Sequence, residues 1–97
     1  MKALINETER NTLLKEKIDY CMENEIEICI SIESALVNLL HTICVEDYKV
    51  NSDYLFVSSN NFEFTIPFDD VEVTYNKEEN CIRFKYESSE MMLFILD

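Results

Sequence analysis

Glycine is absent from all 97 residues, and Pro67 is the only proline. Phosphate-cradling loops, dinucleotide fingerprints and nucleophile elbows rely on glycine where the backbone takes positive φ or passes close to a ligand, so those chemistries are excluded. Turns are left to Asn, Asp and Ser. The candidates are Asn24, Asn51-Ser52-Asp53, Ser58-Ser59-Asn60-Asn61, Asp69-Asp70, Asn76 to Asn80 and Ser88-Ser89. Tryptophan is missing and His41 is the only histidine. A histidine-based nucleophilic site would have to use it, and no serine or cysteine carries a matching signature; a polar residue at the core edge is the better reading. His41, Cys44 and Asp47 follow one another at three-residue spacing, but zinc sites draw four ligands from paired motifs and no second pair is present. Asp69, Asp70 and Glu72 lack the oxygen spacing and the turn glycine of a calcium loop. No metal, no cofactor and no enzymatic activity are expected.

Long apolar runs are also lacking. The longest, Met91 to Leu96, falls far short of the roughly 20 residues a membrane helix needs, and the N-terminus shows no signal-peptide core. The expectation is a cytoplasmic protein with no membrane partner. Its four cysteines, Cys21, Cys29, Cys44 and Cys81, have no CxxC spacing, and buried free thiols are expected.

What the chain has is apolar content of 47%, eleven aromatics and an excess of acid. The first two argue for one folded domain over residues 1–97. The acid is unevenly placed: residues 18–76 carry twelve carboxylates and one cation, Lys49, so the net charge of −12 divides as +1 up to Lys17, −11 in the middle and −2 from Lys77 onward. Direct nucleic-acid binding is disfavoured, because it rests on Lys and Arg displacing counterions.

Asn6 followed by Glu9 has capping-box spacing and predicts a helix over 7–23, with Leu14, Ile18, Cys21 and Met22 as its apolar stripe. From Ile26 the period becomes two, with Ile26, Ile28, Ile30 and Ile32 on one face. Strands are predicted at 26–32, 36–45, 53–58, 61–66, 70–76, 81–87 and 91–96. Segment 36–45 also fits a helix, behind Ser34 as cap. The inward sets are Tyr54 with Phe56, Phe62 with Phe64 and Ile66, Val71 with Val73 and Tyr75, and Ile82 with Phe84 and Tyr86. The last two strands form a hairpin that sets Glu72 and Thr74 beside Arg83 and Lys85. The fold class is α+β, an N-terminal amphipathic helix packed on a curved antiparallel sheet or small barrel.

A helix followed by short strands, with IPFDDVEV after NNFEFT, resembles the Sm-like small barrels in order of elements over residues 7 to 75. That family bends its strands at glycines and binds RNA through polar and basic loop residues. This chain has neither, so the resemblance carries over no site.

Unpaired acid destabilises a fold by self-repulsion, which makes sense if a strongly cationic surface is the partner. Outward side chains on a strand recur about every 6.8 Å, and DNA rises about 3.4 Å per nucleotide, so a carboxylate row can imitate a phosphate row. The expected partner-binding residues are Glu25, Glu27, Glu33, Glu46, Asp47, Asp53, Glu63, Asp69, Asp70 and Glu72. The expected partner is a basic, nucleic-acid-processing protein, inhibited as by the small acidic anti-CRISPR and anti-restriction proteins of phages, which this chain is similar to in size and charge. The alternative is a structural or assembly subunit that forms homo-oligomers through Met91 to Leu96.

Overall fold

The helix begins where the capping signal puts it. Asn6 Oδ1 accepts a hydrogen bond from the Glu9 amide at 2.9 Å, and α1 runs Glu7–Asn24 with Glu7 and Glu9 in its first turn, where the helix dipole favours acid. It ends at Glu25, whose left-handed backbone (φ 54, ψ 42) lets the Ile26 amide close back on the Cys21 carbonyl at 2.9 Å. Leu14, Ile18 and Cys21 form the buried stripe.

The computed structural model describes the backbone of residues 2–4 together with residues 6–97. Around α1 the described residues form nine strands: β1 (Lys2–Leu4), β2 (Ile28–Glu33), β3 (Asn38–Ile43), β4 (Asp47–Val50), β5 (Tyr54–Ser58), β6 (Glu63–Pro67), β7 (Glu72–Asn76), β8 (Cys81–Tyr86) and β9 (Ser89–Ile95). All pairings are antiparallel. Six strands make one sheet in the order β1-β7-β8-β9-β2-β3, and three make a second in the order β4-β5-β6. The fold is therefore α+β. The two sheets are separate and do not close into a barrel, which corrects the small-barrel expectation: no ladder joins β3 to β4 or β6 to β7.

One apolar cluster joins the parts. Ile28 and Ile30 of β2, Ile43 of β3, Val73, Ile82, Phe84, Leu93 and Ile95 line one face of the large sheet, and Leu14, Ile18 and Cys21 of α1 with Leu55, Val57, Ile66 and Phe68 of the small-sheet region complete it. Each fully buried Leu or Ile contributes about 1.5–3 kcal/mol of transfer free energy.

Several expectations change here. Segment 36–45 holds a strand, Asn38–Ile43, and no helix: the Ser34 hydroxyl receives the Leu36 and Val37 amides and so closes a tight turn ahead of β3, rather than capping a helix. In the small sheet β6 keeps the expected phase, with Ile66 buried and Phe62 and Phe64 packed against the core, but β5 has the opposite one. Leu55 and Val57 are buried while Tyr54 and Phe56 are half-buried on the other face, and Tyr86 is exposed. Strands β1 and β4 were not anticipated. Met91 to Ile95 fall in a central strand, hydrogen-bonded to β8 on one side and β2 on the other, so its edges are not free to recruit another chain, and Leu96 lies just beyond its end. Its apolar run is explained by burial of Leu93 and Ile95 on the core face and partial cover of Met92 and Phe94 on the other.

Candidate functional site

Antiparallel strands send alternate loops to opposite ends of the molecule, and this divides the acid. Five of the expected residues lie toward the end where α1 stops: Glu25 after the helix, Glu27 before β2, Glu46 and Asp47 at the start of β4, and Glu63 at the start of β6. Register holds the last three together, since Asp47 and Glu63 both pair with Ser58 and the Glu46 amide donates to the Ser58 carbonyl. The other five lie toward the opposite end: Glu33 closing β2, Asp53 in the β4–β5 turn, Asp69 and Asp70 after β6, and Glu72 opening β7. The Phe68 amide donates to the Asp53 carbonyl at 2.9 Å, tying the Asp53 turn to the Asp69-Asp70 turn.

The row of Glu25, Glu27 and Glu33 does not form. Glu27 and Glu33 are separated by about 20 Å of extended chain, and between them that face carries Cys29 and Ser31. Glu25 is on the helix terminus. Alternation in sequence put all three on one side, but only Glu33 falls within a strand.

The end holding Asp69 and Asp70 has a cavity. A cleft of about 490 Å³ opens between the turn after β6 and the β8–β9 hairpin, floored by Ile32, Ile66, Phe84 and Met91 and rimmed by Asp69, Asp70 and Glu90. Size and lining are those of ligand-accepting clefts. Asp70 holds φ 59, a left-handed conformation that costs a non-glycine residue free energy, in a turn closed by the Val71 amide on the Phe68 carbonyl. Beside the cleft, register sets Glu33 directly across from Glu90, Glu90 across from Lys85, and Lys85 across from Glu72. The like-charged Glu33–Glu90 pairing is offset by Arg83, whose Nε is 3.2 Å from Glu90 Oε1. That N–H is not aimed at the oxygen and makes no hydrogen bond, so the contact is one of charge alone. The expected hairpin is present, with Glu72 facing Lys85 and Thr74 facing Arg83, while the ion pair of Arg83 is made across the neighbouring β8–β9 ladder, to Glu90.

None of the ion pairs among the described residues involves any of the twelve carboxylates in residues 18–76. Eleven of the twelve are exposed; Asp19, half-buried, accepts the Tyr48 hydroxyl at 2.6 Å. Burial, and then that hydrogen bond, push the Tyr48 hydroxyl well above the ordinary tyrosine value. The one cation in the stretch, Lys49, has its Nζ 5.8 Å from the centre of the Tyr54 ring.

Arg10, which sequence reasoning passed over, anchors this end. Its guanidinium stacks 3.6 Å from the Phe68 ring centre and its Nη2 reaches the Ser52 carbonyl at 3.4 Å, joining helix, β4–β5 turn and Phe68 turn. An arginine one turn before Leu14 on the apolar stripe was the available signal. His41 lies on the core face of β3, its ring 4.8 Å from that of Phe62; on a strand it shares no helical face with Cys44 and Asp47, and among the described residues no group of His, Cys, Asp and Glu is placed to hold a metal ion. Cys21 and Cys81 are buried as expected, Cys29 is half-buried, and Cys44, contrary to expectation, is exposed.

Comparison with family models, curated proteins and solved structures finds no match to any of them.

Proposed function

We propose that the protein is a non-enzymatic binding protein whose cleft end engages a basic, nucleic-acid-binding surface of a partner protein and so occupies it in place of nucleic acid. The observation that carries this reading is the combination at that end: Asp69 and Asp70, exposed and in no ion pair, beside an apolar cleft large enough for one side chain. Interface energy concentrates where an anchor side chain fills a pocket and charged groups ring it. An arginine suits this cleft, since its stem packs on Phe84 and Met91 while its guanidinium reaches Asp69 and Asp70. The remaining carboxylates steer the encounter. Such a protein works where nucleic-acid enzymes work, in the cytoplasm.

The test uses arginine-rich peptides as probe, followed by NMR. Amides of Ile66, Phe84 and Met91 should shift on titration, and affinity should fall as salt rises. Asp69→Asn with Asp70→Asn should weaken binding about threefold to tenfold, whereas Glu25→Gln with Glu27→Gln should leave it nearly unchanged. Equal loss from both pairs would show a diffuse charge effect and sink the cleft. For a captured partner, duplex DNA or RNA should compete; binding indifferent to both would overturn the mimicry.

A further inference from the structure

The large sheet ends in β3, and that edge is unlike the others. Exposed sheet edges are ordinarily blunted by charge or proline, because their unpaired amides and carbonyls recruit other strands. In the small sheet, edge strand β4 carries Asp47 and Lys49, and edge strand β6 carries Glu63 and Pro67. Strand β3 carries neither, and residues 34–45 hold no charged side chain at all in a chain of net charge −12. It is also apolar where it meets solvent: Leu36 is 95% exposed, Leu40 72%, Val37 56% and Leu39 37%.

The hydrogen-bond parity of this edge follows from two contacts. The Leu96 amide donates to the Glu27 carbonyl, so odd-numbered residues of β2 bond toward β9. The Ser34 amide donates to the Val37 carbonyl, so even-numbered residues of β2 bond toward β3, through its odd positions. Asn38, Leu40 and Thr42 therefore direct their backbone amides and carbonyls outward.

From this we infer that β3 pairs with β3 of a second copy, antiparallel about a two-fold axis at Leu40, joining two large sheets into one. In this register Leu40 faces Leu40 of the second copy and Asn38 faces Thr42, so the outward amides and carbonyls of each strand meet those of the other. Side-chain faces match as well. Leu39 falls opposite His41 on the core side, and Val37 opposite Ile43. A closed isologous contact results, which ends at two copies. A basic partner gains nothing at this edge, which offers it no charge; a second copy finds its own complement. The two copies still repel through their remaining acid, so the dimer tightens as salt rises, opposite in sign to the cleft interaction.

Sedimentation and disulfide trapping test this. The full chain should pass from monomer to dimer with concentration, more readily at high salt, and Leu40→Lys should weaken the dimer at least about tenfold. In a Cys44→Ser background, Leu40→Cys should cross-link rapidly under mild oxidation, because directly opposed residues on hydrogen-bonded strand pairs have Cα atoms about 5.5 Å apart, within disulfide reach. Thr42→Cys should not, since its facing residue is Asn38. A monomer at about 1 mM in about 0.5 M salt would overturn the inference, as would equal cross-linking from the two positions. Loss of peptide binding in Leu40→Lys with no change in assembly would instead assign the edge to a partner strand.

Discussion

Two cysteines mark the extremes of environment at the level of single residues. Cys44 is exposed, while burial and the neighbouring Asp97 carboxylate push the Cys21 thiol up. Iodoacetamide at neutral pH should therefore alkylate Cys44 first and leave Cys21 until the fold opens, which peptide mass mapping over time would show. Tyr48 gives a pH signature. Its folded value lies above the ordinary 10.0, so the folded state holds this proton more tightly than the unfolded state. The contribution is present below pH 10 and is lost as pH rises beyond it. Tyr48→Phe should cost about 1.5 kcal/mol at neutral pH by denaturant titration, and the deficit should shrink in strongly alkaline solution. A deficit independent of pH would mean that packing, not the bond to Asp19, is what the hydroxyl supplies. At Arg10, loss of the stack on Phe68 and of the buried stem should cost about 2 kcal/mol on Arg10→Ala, with Arg10→Lys recovering only part, because a lysine stacks less well.

Among the elements, local rules were readable in sequence and non-local ones were not. Asn6 and Glu9 located the helix start, and the isoleucines of β2 located its buried face, because capping and alternation act over a few residues. Residues 54–57 are apolar at every position, so alternation has no phase to report there; burial of Leu55 and Val57 depends on which face meets the core. Strand β4 was obscured by its own charges, and the placement of β9 between β8 and β2 depends on contacts far apart in sequence. The site followed the same division: which residues are acidic was plain, but their partition between two ends follows from strand direction. The glycine-free turns leave a testable cost. Glu25, Asp70, Asn80 and Glu87 all take positive φ, and Glu25 also adds negative charge at the negative end of α1. Glu25→Gly should stabilise the protein by about 0.5–1 kcal/mol, read as a rise in the denaturant midpoint.

For the whole molecule, two surfaces with opposed salt dependence sit on one small body. Cleft binding should weaken with salt and edge pairing should strengthen, so a salt series measuring both peptide affinity and mass separates them without any mutation. If only one dependence appears, only one of the two surfaces is used.

The position of β9 also bears on how the chain reaches this structure. Strand β2 is made well before β9, yet β9 is one of its two flanking strands. Until β9 is in place, β2 and β8 each lack a partner on the side it will fill, and the apolar face of the large sheet is divided. Closing such a long loop is slow relative to forming hairpins. Until β9 follows, the β2–β3 hairpin has both of its edges open, an exposure to aggregation that the surrounding negative charge helps to offset by keeping chains apart.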